Sequence, residues 1–307
     1  MANWPAMSRI ELRQPPQGRS SGQTRIAAWN LERCKKPLAS AAIIRDCGID
    51  ILLATELDIG MARSGQAHTP EELAGHLDYG YAFGVEFVEL GTGDTHETQL
   101  FKDLENECGL HGNAIFSRYP IRNAALIPID DGGEWFVRAP KNDGQHRVGG
   151  RMAIAAELET PDGPLAVAAV HYESESTPAT RGEQTRRMLA AMDGLYGDLP
   201  VVIGGDLNTA TLAADTHSRH QRLNEPPDDE PCFQIFAAHD YRWGDGNTGE
   251  TTTRHPPNRI IRHPHKTIDW LFVRGGRLFD PAVIPAVLDD DDYLSDHDMV
   301  AAYLSLS

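Results

Sequence analysis

Cysteine is scarce in this chain: Cys34, Cys47, Cys108 and Cys232 stand alone among 307 residues, with no CxxC or other ligand spacing. That pattern speaks against a disulfide framework and a thiolate zinc site, and predicts reduced, mostly buried thiols. Aromatic residues make up only 7%, and no Lys/Arg ridge with interleaved aromatics marks a platform for single-stranded nucleic acid. Long apolar runs are missing as well: nothing approaches the roughly 18–20 consecutive apolar residues that span a bilayer. The opening stretch MANWPAMSRIELRQPPQGRSSGQ has no apolar core of the secretory type. A cytoplasmic location is the resulting expectation. Positive charge is short too, with 28 Lys plus Arg against 45 Asp plus Glu and a net charge of −17. Such a field repels a polyanionic duplex and disfavours extended nucleic-acid binding. One locally basic segment, TRHPPNRIIRHPHK at residues 253–266, runs against that trend.

What is present is enough apolar material, 40% of residues, for a full core. No internal repeat or shift of composition marks a boundary. The expected organisation is a polar, flexible extension over residues 1–23 followed by one catalytic domain over 24–307. Short apolar runs bounded by Gly, Pro or Asp predict strands at 25–31, 50–57, 113–117, 151–158, 165–172, 200–207, 267–273 and 298–306. Helices are expected between them. Thr69-Pro70-Glu71-Glu72 and Thr180-Arg181-Gly182-Glu183 read as helix starts capped by threonine. Residues 38–47 form a third helix stopping at Gly48, and Met188, Leu189, Met192 and Leu195 form a core-facing stripe.

The polar residues fall in telling places on these strands. Asn30 ends the first, Glu56 the second and His171 the fifth, while Asp206 and Asn208 follow the buried run VVIGG. One ionisable group at a strand end is unremarkable, because strands emerge into solvent there. Asp269 differs, since Ile268, Trp270, Leu271 and Phe272 surround it and a buried carboxylate needs a partner. His297, beside Asp296, is the obvious candidate.

The ordered set WN (29–30), TE (55–56), GNAIFSRYP (112–120), HYES (171–174), GGDLNT (204–209), TIDWLF (267–272) and SDH (295–297) resembles the endonuclease/exonuclease/phosphatase superfamily. That group includes deoxyribonuclease I, abasic-site endonucleases, inositol polyphosphate 5-phosphatases and neutral sphingomyelinases. The resemblance runs from about residue 24 to 305, and its strength lies in GDxN, IDxxF and a late SDH occurring in that order. It implies an α/β fold, a four-layer α/β/β/α sandwich of two mixed β-sheets flanked by helices, with the catalytic groups gathered at one edge. Two positions depart from the pattern: Thr55 precedes Glu56 where glutamine is usual, and Asp298 follows SDH, where it is expected to face solvent.

Phosphate esters repel hydroxide, and a hard divalent cation held by oxygen ligands offsets that repulsion. The resemblance implies Mg²⁺ or Mn²⁺ held by Glu56 with Asn30 and Asp296. It implies Asp206 as the base or orienter of the attacking water, with Asn208 hydrogen-bonding that water or a phosphoryl oxygen. His297, oriented by Asp269, would stabilise charge on the phosphoryl oxygens or act as an acid, and His171 would contact the phosphate from the far side.

Substrate choice is less legible, because the superfamily shares its core motifs across nucleases, lipid phosphodiesterases and phosphatases. The acidic composition favours a small phosphodiester or phosphomonoester, with a metal-dependent nuclease of DNA or RNA as the alternative. HYESESTPATRGEQ (171–184) resembles a stretch of small bacterial members without a DNA-binding insertion. Candidate substrate contacts are Arg63, Arg151, Arg254 and Arg262, the last two in the basic segment, which also holds Arg259 and Lys266.

Overall fold

The computed structural model describes residues 4–16, 22–134, 145–255, 264–289 and 292–306. Its strands in chain order are β1 (Ile10–Arg13), β2 (Arg25–Arg33), β3 (Ile51–Ile59), β4 (Gly80–Glu89), β5 (Leu110–Ser117), β6 (Ile121–Pro128), β7 (Gly133–Glu134) and β8 (Arg147–Gly149). They continue with β9 (Met152–Thr160), β10 (Gly163–His171), β11 (Val201–Asp206), β12 (Asp269–Arg274), β13 (Gly276–Ile284), β14 (Val287–Asp289), β15 (Asp292–Tyr293) and β16 (Met299–Leu306). One sheet runs β13-β16-β2-β3-β5-β4-β8-β7, with β1 also paired to β4; the other runs β12-β11-β10-β9-β6. Both mix parallel and antiparallel pairs.

Alternation along the strands explains why the two sheets stack. Ile26, Ala28, Leu53 and Ile115 from the first sheet share one buried cluster with Ile154, Val167, Val202 and Leu271 from the second. The opposite faces are buried by helices. Pro37–Asp46 and Thr69–Leu77 cover the first sheet, where Ile44, Leu73 and Leu77 join Trp29 and Leu52. Pro178–Tyr196 and Pro231–Ala238 cover the second, where Met188, Met192 and Phe236 join Ala168 and Phe272. The result is the expected four-layer α/β/β/α sandwich.

All eight apolar runs are strands, and the helix over 38–47 is present as Pro37–Asp46, ending before Gly48 at φ 63°. Other expectations need correction. Residues Ile10–Arg13 are not a loose extension: they pair antiparallel with β4, Ile10 opposite Gly84 and Arg13 opposite Tyr81. Backbone pairing needs no apolar pattern, so the polar segment IELR hid this strand. The helix expected at Thr180 starts earlier, with Thr177 as N-cap accepting from the Thr180 N–H and Pro178 in the first turn. His68 rather than Thr69 caps the second helix, its ring accepting from the Glu71 N–H. Leu195 is 55% exposed and leaves the buried stripe, its place taken by Tyr196.

The two glycines before Asp206 have separate structural reasons. A Cβ on Gly204 would stand 2.7 Å from Leu271 Cδ2 and 3.0 Å from Leu53 Cδ1, so this residue lets the sheets close on each other. Gly205 has φ 144°, and a Cβ there would stand 1.9 Å from the Val170 carbonyl oxygen of the parallel neighbour β10. Gly205→Ala combines backbone strain with a main-chain clash in the strand that carries Asp206, and is expected to cost at least about 3 kcal/mol. Urea denaturation read by tryptophan fluorescence checks this; a loss below about 1 kcal/mol would contradict the close approach.

Candidate active site

Strand register assembles the site. His171 lies opposite Asp206 in the parallel pair β10–β11, and Asp206 lies opposite Asp269 in the antiparallel pair β11–β12. Three chemical side chains therefore stand abreast at one edge of the second sheet. The first sheet contributes from the facing edge, where β2 and β3 pair in parallel up to Asn30 opposite Thr55, beyond which the register shifts. Glu56 sits at that irregularity with a left-handed φ of 58°. The SDH segment closes the gap: Ser295 Oγ donates to the Asn30 carbonyl at 2.6 Å, and the Trp29 indole donates to the His297 carbonyl at 2.9 Å.

These groups line one cleft of about 300 Å³. Asn30, Glu56, Arg151, His171, Asp206, Asn208, Asp296 and His297 all contribute to its wall. Asp206 is the hub. Asn30 Nδ2 donates to its Oδ2 at 3.2 Å and to Glu56 Oε1 at 3.1 Å, while the Asn208 N–H donates to Asp206 Oδ1 at 2.8 Å. His171 Nε2 and His297 Nε2 lie 3.5 Å and 3.8 Å from Asp206 Oδ2. Burial first, and Asp269 next to it, raise the Asp206 carboxyl to about 7 against the opposing pull of His297.

The two histidines have opposite electrostatics. His297 Nδ1 donates to Asp269 Oδ2 at 2.9 Å, and Thr252 Oγ1 donates to the same oxygen at 2.6 Å. Burial opposes a charge on His297, yet Asp269 and Asp206 outweigh it and raise its pKa well above the ordinary value, which makes it an imidazolium. His171 is pushed well below its ordinary value, by burial and then by Arg151, and stays neutral. Arg151 Nη1 lies 3.0 Å from His171 Nδ1, so that nitrogen accepts and the ring proton sits on Nε2, facing Asp206. Asp206, Asp269 and His297 also bring one donor atom each within 4.8 Å of one another. The His297 Nδ1 proton is spent on Asp269, so this trio reads as an oriented acid–base pair beside a carboxylate.

Oxygen donors suited to a hard cation lie on the other flank, on Asn30, Glu56 and Asp296. Glu56 is paired with Arg33. Burial opposes its ionisation, but Arg33 above all, with the Asn30 hydrogen bond, holds it well below the usual carboxylate range. Asp296 is 19% exposed, and its N–H donates to Glu32 Oε2 at 3.0 Å. The donor set therefore fits a divalent cation that prefers oxygen.

Asn208, with φ 48°, spends one amide hydrogen on the Tyr172 carbonyl at 2.9 Å. Together with Glu56 at 58°, Glu32 at 42° and Arg33 at 76°, it makes four non-glycine residues of the cleft wall in the left-handed region, and Cys34 at 52° continues the run into the core. Each costs about 1–2 kcal/mol, a strain that the surrounding contacts must hold.

Of the three expected substrate arginines among the described residues, Arg63, Arg151 and Arg254, Arg151 alone lines the cleft. It is buried, with Nε on Glu173 Oε2 at 3.0 Å and Nη1 3.4 Å from Glu86 Oε2. Arg63 is wholly buried behind the cleft and grips Asp58 with Nε and Nη2 at 2.8 Å and 2.9 Å. It serves a structural ion pair, not a substrate, because Asp58, fully buried near the end of β3, needs a counter-ion. Arg254 pairs with Asp298, and its N–H donates to the Asp296 carbonyl at 2.6 Å, so it braces the SDH segment. Asp298 is buried rather than solvent-facing, and accepts from the Ala286 N–H at 2.9 Å. Arg262 and Arg259 lie outside the described residues.

Sequence reasoning missed Arg33, Glu97, His111, Arg147 and Glu173, all in the cleft wall. The signal for Arg33 and Glu173 was at hand, since they follow Asn30 and His171 within three residues. Glu97 and Arg147 come from segments without a motif.

The chain matches the Endonuclease/Exonuclease/phosphatase family over residues 27–297 and belongs to it. No curated protein sequence matches the chain. Among solved structures, an endonuclease/exonuclease/phosphatase from Bacteroides vulgatus is similar, with 16% identity and a TM-score of 0.62 over 94% of this chain and 100% of that one. The human Nocturnin catalytic domain with bound sulfate is 18% identical, with a TM-score of 0.57 over 97% of each chain. A mannosyl-6-phosphatase from Bacteroides thetaiotaomicron is 15% identical, with a TM-score of 0.55 over 92% of this chain and 100% of that one. At such identities the likeness is one of fold. The family consists of hydrolases of phosphate esters that generally depend on a divalent metal.

The buried Asp58 ion pair carries a stability prediction. Burial disfavours its charge, but Arg63 and His111 outweigh that and lower its pKa below the ordinary 3.8. A depressed carboxyl adds stability that is complete above its unfolded pKa and is lost as pH falls through the folded value. Asp58→Asn should cost about 3 kcal/mol at pH 7, because it strands Arg63 without its closest counter-charge. The gap to wild type should hold down to about pH 5 and narrow progressively below about pH 4 as pH falls toward the depressed folded value. Urea midpoints at three pH values measure it, and a gap unchanged in acid would disprove the ion pair.

Proposed function

We propose that the chain is a hydrolase of small phosphodiesters or phosphomonoesters that uses Mg²⁺ or Mn²⁺. The observation that carries this reading is Asp206, a carboxylate flanked by a neutral and a charged imidazole in a cleft with oxygen donors on its other side. Glu56, Asn30 and Asp296 would hold the cation, which would polarise the ester and offset its charge. Asp206 orients a water for attack and takes its proton, the role its raised pKa suits near neutral pH. Asn208 places a backbone N–H on one Asp206 oxygen and so aims the other.

His297 faces the reacting oxygens as a cation. Asp269 fixes its ring, so the charge is in place before the phosphoryl group develops its own. His171, fixed by Arg151, presents an N–H from the opposite side. Arg147 and Arg151 line the same cleft and carry the charge that draws a phosphate in.

The size and charge of the cleft support a compact substrate. Its wall carries eight carboxylates, Glu32, Glu56, Asp94, Glu97, Glu173, Glu175, Asp206 and Asp296, against three guanidinium groups. A duplex needs a long positive flank, and this wall would repel its neighbouring phosphates. The described residues contain no helix long and apolar enough to cross a membrane.

Hydrolysis of an aryl phosphodiester, its monoester and a plasmid, each with Mg²⁺, Mn²⁺ or EDTA, tests the reading. A small ester should be cleaved with either metal and not in EDTA, and Asp206→Ala should lose on the order of 10²-fold or more. Plasmid nicking that vanishes in the same variant, with the small esters untouched, would replace this proposal with a nuclease. A second prediction concerns Asp269→Asn, which keeps the shape of the pair and removes its charge. It should lower kcat on the order of 10²-fold or more with little change in KM, since His297 acts on charge formed during the reaction.

A further inference from the structure

Glu32, Arg33 and Cys34 hold left-handed φ values of 42°, 76° and 52° in succession, a run that only glycine adopts without strain. Both ends of the run are pinned. The Glu32 N–H donates to Asn30 Oδ1 at 3.1 Å, and Cys34 is buried in the core with its N–H on the Leu31 carbonyl at 2.9 Å. Between these anchors the Arg33 side chain turns into the cleft, only 13% exposed. It pairs with Glu56 Oε2, and its Nε lies 3.6 Å from Glu97 Oε1.

Both oxygens of Glu56 are thus engaged by protein donors, Oε1 by the Asn30 amide and Oε2 by Arg33. Asn30 can offer a cation the second lone pair of its Oδ1. Arg33 cannot, because a guanidinium has no lone pair to give and is itself positive. A divalent cation and Arg33 therefore compete for one carboxylate. Glu97 stands ready as the place to which the guanidinium can withdraw, since it already faces Arg33 from the short helix Thr95–Leu100.

We propose that Arg33 is a built-in competitor for the cation site, occupying Glu56 when the site holds no metal and withdrawing onto Glu97 when a divalent cation enters. The inference rests on the reading of Glu56 as a metal ligand. It makes cation affinity a property that the chain tunes through a residue outside the ligand set. A strained, pinned backbone suits that task, because it keeps the guanidinium within reach of both carboxylates.

Mn²⁺ binding to the full chain without substrate tests this, read from the electron paramagnetic resonance of free Mn²⁺ and from thermal denaturation with and without the metal. Arg33→Met should bind Mn²⁺ at least about tenfold more tightly than wild type, because the competent state no longer has to be freed. Its melting temperature should fall in EDTA, where Glu56 is left without a counter-ion, and rise more than wild type when Mn²⁺ is added. Glu97→Gln removes the place of withdrawal and should weaken Mn²⁺ binding. These opposite directions separate competition from general damage to the site.

Equal Mn²⁺ affinity in wild type and Arg33→Met overturns the role of Arg33 and leaves the metal reading standing. Absence of Mn²⁺ binding in wild type and both variants overturns the metal reading along with it. Should Arg33→Met fail to fold, Arg33→Lys keeps the charge but loses the forked contact. It should still bind Mn²⁺ more tightly than wild type, and equal binding counts against the proposal.

Discussion

Charge burial is the constraint on which this molecule turns. The strand edges that form the cleft carry carboxylates at positions that the sandwich removes from water, and each one demands a cation or a proton. Asp58 takes Arg63, Glu173 takes Arg151, Glu56 takes Arg33 and Asp269 takes His297. Glu86, deep in β4, is the instructive exception: burial, only partly opposed by Arg151, raises it to about 7, so it sits at the border between charged and neutral near physiological pH. The candidate site is the open end of this paired system. Its reactivity and its stability problem are the same electrostatics viewed from two sides.

Two layers of arginine divide the labour. Arg63, behind the cleft, is consumed entirely by Asp58, Glu97 and neighbouring groups and holds β3 to its surroundings. Arg33, Arg147 and Arg151 stand in the wall itself, each facing a carboxylate. Arg151 also fixes the tautomer of His171, which couples a cation of the wall to the ring that faces Asp206. Such coupling means that exchanging Arg151 for lysine would keep the charge and lose the geometry.

Much of this arrangement was legible in the sequence, for reasons that differ by element. The eight apolar runs gave their strands away because each buries at least one face, and the order of WN, TE, GGDLNT, TIDWLF and SDH marked the ends that converge. The strand Gly80–Glu89 escaped because Glu86 and Glu89 interrupt its apolar pattern, and their counter-ions lie in β8 and just before β9, far away in sequence. Arg63 was misread for the complementary reason. An arginine in a glycine-bearing loop looks solvent-exposed until the fold reveals the carboxylate it must neutralise. Ion pairs across distant strands leave no periodic trace, whereas apolar faces do.

The pairing of β16 with β2 has a consequence in time as well as in space. Strands from opposite ends of the chain lie side by side, and the loop entering the last strand carries Asp296 and His297 into a cleft whose other walls come from residues 30 to 208. A ribosome-bound nascent chain can therefore possess the whole second sheet, with Asp206 and Asp269 in place, and still lack the imidazolium between them. Maturation of the cleft must wait for the final strand to emerge and dock. Until then, Asp269 has no histidine to orient.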